Sequence, residues 1–321
     1  MVNSNERGRA FEYRVAKEVE DFAFKNRLEV NYGKHTKRLN DVQKTYFSAL
    51  DDESKENFSG GARAFVNWLK KQYLFYDLKG IIIDRVADDE AKTDTGAIDL
   101  RLTFIGKKGN ETLGFSIKNE SDSLCHPRLP SVPEQCGIKN AEIDKKYFDG
   151  YTDAWFSFME KAKKEFPKTL TYTEIDNQYE GYREKFLYKP LQLNLVKFLN
   201  EYKSNPKVAQ AFFEYLVGKN DYYVVKNTEN KLEIKRFFGI KKPSKFEVSY
   251  PYVKGKKEYQ TSCLLEFNNG WKIKFRVHTA SSRLYKTDGE PNITEKMDPI
   301  CINLEKMLKI EHMLKSGKTL D

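Results

Sequence analysis

The chain has 321 residues, 39% apolar and 14% aromatic, enough to bury a substantial core and too many for a disordered tail. Its 56 Lys and Arg outnumber 47 Asp and Glu, and the net charge of +9 favours a polyanionic partner. Four Cys with no Cys-x-x-Cys pair exclude a disulfide framework and a zinc ribbon, and there is no run of about 18 apolar residues to cross a membrane.

The N-terminus lacks the apolar core of a signal peptide, so a soluble, cytoplasmic protein without a membrane partner is expected. In "RGRAFEYRVAKEVEDFAFKNR", Phe11, Val15, Val19 and Phe22 recur at helical spacing and predict a first amphipathic helix that carries Glu12. "DVQKTYFSAL" reads as a second helix and "GARAFVNWLKKQYLFYDL" as a third, with Phe65, Trp68, Leu69 and Tyr73 on one face. Together they would cover one side of a sheet.

Apolar runs follow at Ile81 to Ile83, Ile98 to Phe104 and Thr112 to Ile117, the last two joined by the turn-like "GKKGN". They predict neighbouring strands of a central sheet, on which Ser116, Lys118 and Glu120 alternate with Phe115, Ile117 and Asn119. "SDSLCHPRLPSVPEQCGIKN" reads as a long loop. "YFDGYTDAWFSFMEKAKKEF" and "LQLNLVKFLNEYKSNPKVAQAFFEYLVG" return to helical periodicity.

From about Asp221 the texture turns to strands, with an Asn-Gly hairpin in "FNNGW" and a basic face on "WKIKFRVHT". The tail "EKMLKIEHMLKSGKTLD" reads as a terminal helix. This pattern predicts a core over 1–140, a helical region over 141–220 and a strand-rich region over 221–321.

Asp99 at the start of one strand and Lys118 near the end of the next are 19 residues apart, a length that suits strand, turn, strand. Phosphodiester cleavage needs a divalent cation on oxygen ligands, an activated water and a positive charge near the phosphate, and this pair supplies the minimum. Gly96 precedes the acid's strand, and Glu12 sits among small and apolar neighbours on the first helix, where it could deliver a further carboxylate. The same residues also suit an ordinary charged hairpin, with Lys118 and Glu120 as a sheet-edge pair of little energy.

The segments "TGAIDLRL…LGFSIKNESDSLCHPRL" and "GWKIKFRVHTASSRL" make the chain similar to the restriction-endonuclease-like nucleases of motif PD…(D/E)xK, and more closely to the HaeIII-type type II restriction endonucleases. The resembling parts lie within 7 to 20, 95 to 130 and 265 to 285. The resemblance implies an α/β fold with a restriction-endonuclease-like mixed central sheet flanked by helices, a helical insertion and a strand-rich C-terminal DNA-binding region.

It also implies Mg2+ as cofactor, with Asp99 as ligand, Lys118 orienting or deprotonating the attacking water, and Glu12 as the first-helix acid. Ser116 stands where the motif has Asp or Glu, and no Pro-Asp pair precedes the strand, since Asp99 follows Ile98. The missing ligand is therefore expected from Glu12, then Glu120, then Glu111.

His126 and Arg128 in "CHPRLPS" are expected to touch or position phosphate; Cys125, His126 and Cys136 lack a fourth ligand at zinc spacing. Lys274, Arg276, His278, Ser281, Ser282 and Arg283 form a candidate DNA-facing surface, and "GIKKPSK" and "VKGKK" add backbone attraction.

The expected activity is site-specific hydrolysis of double-stranded DNA, with GGCC the target that the resemblance suggests. A homodimer would match a palindromic site, and a cognate DNA methyltransferase would share the system without a stable complex. The alternatives are a repair or junction-resolving nuclease of the same superfamily, a non-catalytic DNA-binding protein, or a soluble α+β domain that binds another anion.

Overall fold

A computed structural model describes residues 2–72, 77–87, 97–122, 124–168, 171–229, 231–250, 252–254, 257–259, 262–279, 281–286, 289–293, 295–301 and 309–314. For 252–254, 257–259, 295–301 and 309–314 only the backbone is described. Tyr73, Gly96 and the Gly255-Lys256 pair of "VKGKK" lie outside the described residues.

Helix α1, Ser4–Lys25, begins at an Asn3 cap whose Oδ1 accepts from Glu6 N at 3.0 Å while Glu6 returns a carboxylate to Asn3 N at 2.8 Å. Its apolar stripe, Ala10, Phe11, Val15, Ala16 and Val19, is buried against the central sheet and two more helices, α2 (Thr36–Ser48) and α3 (Asp52–Gln72). The three helices read from the sequence are therefore present.

The sheet has seven strands: β1 (Glu29–Tyr32), β2 (Leu78–Arg85), β3 (Leu100–Gly106), β4 (Gly109–Asn119), β5 (Tyr222–Asn227), β6 (Leu232–Phe237) and, after further strands of the chain, β13 (Lys309–Leu314). They lie in that spatial order, parallel between β1 and β2 and between β4 and β5, and antiparallel elsewhere. The β3–β4 turn is the "GKKGN" segment, closed by Gly109 at φ 134, a conformation that suits glycine.

One face of the sheet is apolar: Ile81, Ile83, Leu100, Leu102, Phe115, Ile117, Val225 and Ile234 join the helices in one core. Phe115 stands at its centre, with ring centroids 5.0 Å from Phe65, 6.4 Å from Trp68 and 5.6 Å from Tyr223. Helix α3 reaches β5 closely enough that a Cβ on Gly61 would meet Asn227 Oδ1 at 2.3 Å, so a larger residue there would force Asn227 to shift.

The chain divides into two compact units, Met1–Asp122 with Gly218–Ile240 and Leu308–Asp321, and Ser123–Val217 with Lys241–Met307. Strands β5 and β6, grouped with the strand-rich C-terminal stretch in the sequence, thus complete the central sheet of the first unit. The expected terminal helix is corrected over the described part of the tail: Lys309–Leu314 is strand β13, antiparallel to β6, and the rest of that segment lies outside the described residues. Its Ile310, Met313 and Leu314 have helical spacing, but the open edge of β6 offers a hydrogen-bond ladder that a six-residue helix cannot match.

The second unit contains α4 (Val132–Gln135), α5 (Ala141–Glu165), α6 (Tyr172–Gln178), α7 (Lys189–Tyr202) and α8 (Pro206–Val217). Its sheet runs β12 (Glu295–Cys301), β11 (Lys272–Thr279), β10 (Ser262–Phe267), β7 (Phe246–Ser249), all antiparallel, and β8 (Tyr252–Lys254) pairs with β9 (Lys257–Tyr259) apart from it. The Asn-Gly hairpin signal is the β10–β11 turn, with Gly270 at φ 93.

The architecture is a mixed α/β fold with a central sheet, flanking helices and a strand-rich region. Truncating Phe115→Ala is expected to destabilise the protein by about 3–5 kcal/mol, read as a lower midpoint in urea denaturation at an unchanged slope.

Candidate active site

Antiparallel pairing of β3 with β4 sets Leu100 opposite Phe115, so that Asp99, just before β3, falls beside the end of β4. The ladder continues through it: Asp99 N donates to Phe115 O at 2.9 Å, and Val86 N donates to Asp99 O at 3.1 Å. Its carboxylate Oδ2 accepts from Ile117 N at 2.7 Å and from Ser116 Oγ at 3.2 Å, with Lys118 Nζ 4.0 Å away. Both charged side chains keep access to solvent, Asp99 at 29% and Lys118 at 27% exposure.

Ser116, at the position where the motif has an acid, is thus a donor that orients Asp99. Its side chain is buried, at 1% exposure.

Glu12 arrives from α1. Its Oε2 accepts from Arg85 Nη2 at 2.8 Å and from Gln43 Nε2 at 3.3 Å, and the fields of Asp99 and Lys118 both act on it. Arg85 pairs with Leu100, next to Asp99, across β2 and β3, so Glu12, Asp99 and Lys118 lie at the same end of the sheet.

Burial, and after it the neighbouring Asp99 charge, push the Glu12 carboxyl up to about 7, against the opposing pull of Arg85, Lys118 and Arg9. Arg85, only 1% exposed on the core face of β2, was missed in the sequence. A signal was present, because "IIIDRVA" sets a charge at the end of an apolar strand as Asp99 and Lys118 do.

The other acids fall elsewhere. Strand β4 ends at Asn119, and Glu120 turns out of it at φ 56, exposed, with its N–H on Asn227 O at 2.8 Å, so the expected alternation with Ser116 and Lys118 stops one residue short. Glu111 faces Phe104 at the hairpin end, about 23 Å along the strand from Lys118. Among the described residues no group of three or more His, Cys, Asp or Glu converges to hold a metal.

A second lysine was also missed. Parallel pairing of β4 with β5 sets Lys226 in register with Lys118, and Lys226 Nζ binds Asp122 Oδ2 at 2.6 Å.

His126 and Arg128 belong to the second unit. Both are exposed, and the Arg128 carbonyl accepts from Ser131 N at 3.0 Å and Gln135 Nε2 at 3.2 Å, a turn ahead of α4.

The β11 alternation is as read: Ile273, Phe275 and Val277 are buried, Arg276 is exposed, and Lys274 and His278 are half-buried. Beyond it the backbone is tied down, with Tyr172 N on Ser282 O at 2.9 Å and Arg283 bridged to Thr171. Ser281 Oγ accepts from Arg283 N at 3.1 Å, and the Ser282 and Arg283 side chains are exposed.

Because the folded protein holds the Glu12 proton more tightly than an ordinary carboxyl at 4.5, its contribution to stability is present below that value and lost as pH rises through about 7. In EDTA, urea titrations from pH 5 to 7.5 should show stability falling with pH. Glu12→Gln should flatten the slope, and a slope that survives it would assign the effect to another group.

The profile of the HaeIII restriction endonuclease family matches residues 8–287. The chain is also 25% identical over 305 residues to the type II restriction enzyme HaeIII of Haemophilus aegyptius, covering 87% of this chain and 90% of that one. With a match across most of its length that takes in Glu12, Asp99, Lys118 and β11, the chain belongs to the HaeIII restriction endonuclease family and is a DNA-cleaving nuclease of the PD-(D/E)xK superfamily.

Proposed function

We propose that the protein is a type II site-specific endonuclease that hydrolyses phosphodiester bonds of double-stranded DNA at GGCC with magnesium. The observation that carries this reading is the meeting of Glu12, Asp99 and Lys118 at one end of the sheet. The GGCC target rests on the family and on the resemblance of the β4 and β11 segments.

The donor set suits a hard divalent cation. Two carboxylates, Asp99 and Glu12, are close enough to raise the proton affinity of Glu12, and a cation between them would relieve that repulsion. Asp99 and Glu12 would hold the magnesium, with water, backbone oxygen or the DNA phosphate completing its ligands. When bound, it supplies Lewis-acid polarisation of the phosphate and a more acidic water.

Lys118 places a positive charge 4.0 Å from Asp99, where it steadies the negative charge that grows on the phosphate and orients the attacking water. Ser116 and the Ile117 amide fix the Asp99 carboxylate. The water oxygen bonds to phosphorus and gives up a proton to solvent as the opposite P–O bond breaks in line, and the leaving oxygen takes up a proton.

In the second unit, Arg276 and Arg283 are the side chains suited to guanine edges, and Lys274, His278, Ser281 and Ser282 border them. Exposed Lys241 and Lys245, with His126 and Arg128, would add phosphate contacts that weaken with salt. A GGCC palindrome is served by a homodimer or by one copy acting on each strand in turn. The host's own sites would need protection by a DNA methyltransferase, which has no reason to form a stable complex with this chain.

Plasmid DNA incubated with the protein and magnesium should give discrete fragments that end within GGCC, with none in EDTA. Lys118→Ala should slow cleavage by about two to three orders of magnitude. Undiminished cleavage by that variant would remove Lys118 from the mechanism, and ends scattered over the sequence would favour a repair or junction-resolving enzyme. Arg276→Ala should weaken binding to a GGCC duplex by about 1–3 kcal/mol relative to a scrambled duplex, measured in EDTA at fixed salt.

A further inference from the structure

Helix α2 contributes nothing to the motif residues, yet two of its side chains reach the same end of the sheet. The Arg85 guanidinium is held from several directions: Nη2 donates to Glu12 Oε2 at 2.8 Å and to Gln43 Oε1 at 2.6 Å, and Nη1 donates to Asn40 Oδ1 at 3.1 Å. Gln43, 2% exposed, closes the ring by donating Nε2 to the same Glu12 oxygen at 3.3 Å.

The ring has one consistent polarity. Arginine offers only donors and an ionised glutamate only acceptors, so the Gln43 amide must turn its oxygen to Arg85 and its nitrogen to Glu12. Both bonds fall on Oε2, and none of the described residues donates a hydrogen bond to Oε1.

The backbone holds the same junction. Thr36, the first residue of α2, accepts from Arg85 N at 2.9 Å and donates to Ile83 O at 2.9 Å, so the helix is fixed to β2.

We propose that Arg85 and Gln43 are positioning residues that tie down Glu12 Oε2 and leave Oε1 to face the divalent cation beside Asp99. The inference rests on the reading of Glu12 as a metal-holding carboxylate. It accounts for a buried arginine at the active end of the sheet, where an apolar residue would fill the space without the cost of burying a charge. It also gives α2 a part in the site: Gln43 supports a ligand that stands 31 residues earlier in the chain.

The test uses the full-length protein as wild type, Glu12→Gln, Gln43→Leu and Arg85→Lys, each freed of metal. Mn2+ is titrated in, with electron paramagnetic resonance reading the free ion, beside thermal melts and the Mg2+ dependence of plasmid cleavage.

Glu12→Gln should lose the Mn2+ site. Gln43→Leu, which keeps nearly the same volume, and Arg85→Lys, which keeps the charge but not the fork, should weaken Mn2+ by about 10- to 100-fold while melting near wild type. Their half-saturating Mg2+ in cleavage should rise in parallel.

If Gln43→Leu and Arg85→Lys bind Mn2+ as wild type does while Glu12→Gln does not, the positioning role is overturned and the reading of the site survives. If Glu12→Gln itself binds Mn2+ and cuts DNA like wild type, the reading of Glu12 falls and this inference with it. Should Arg85→Lys fail to fold, Gln43→Leu alone decides.

Discussion

A guanidinium buried to 1% exposure must find acceptors where it stands, and Arg85 finds one in Glu12, on a helix 73 residues earlier in the chain. Removing one member of such a pair leaves the other as an uncompensated buried charge, so the contact ties α1 to β2 far more firmly than an exposed ion pair would. Helix α2 is drawn into the same arrangement through Asn40, Gln43 and Thr36. The acid end of the proposed nuclease site is therefore assembled by the contact that settles where α1 and α2 lie on the sheet.

The sheet supplies the other half. Side chains alternate along a strand, so the register that buries Phe115 and Ile117 in the core turns Ser116 and Lys118 to the opposite face, beside Asp99. Core packing and the geometry of the proposed active site are consequently set by one register, and a slip of one residue would lose both. The serine at the motif's usual acid position fits this account. With Glu12 proposed as the second carboxylate, position 116 serves as a hydrogen-bond donor to Asp99.

The second unit secures its proposed reading strand by a different route. The end of β11 is gripped by Tyr188, whose hydroxyl accepts from Thr279 N at 3.2 Å, and by Arg183, which reaches Thr279 Oγ1 at 3.4 Å while bound to Asp176. Tyr188 closes a π-helical segment, Glu184–Tyr188, an irregularity often found at functional places in helices. Side chains that discriminate bases must be held within fractions of an ångström, and these contacts restrain the end of the strand from which Arg276 projects.

Sequence alone determined what short-range periodicity encodes. The stripe of α1, the β3–β4 hairpin with its glycine turn, and the alternation of β11 each follow from residues within a few positions of one another, and the spacing of Asp99 and Lys118 follows from hairpin geometry. The tertiary structure decided what depends on pairing between distant segments. Arg85 meets Glu12 across 73 residues, Lys226 joins the row of Lys118 from more than 100 residues later in the chain, and the apolar spacing of the tail becomes strand β13 because β6 leaves an edge to cover. Glu120 leaves the site for a local reason with a distant cause: its backbone turns left-handed to bond Asn227 at the end of β5. Local pattern fixes which face of an element is apolar, but the partner that covers the face, and the charges it brings, are chosen by packing across the whole fold.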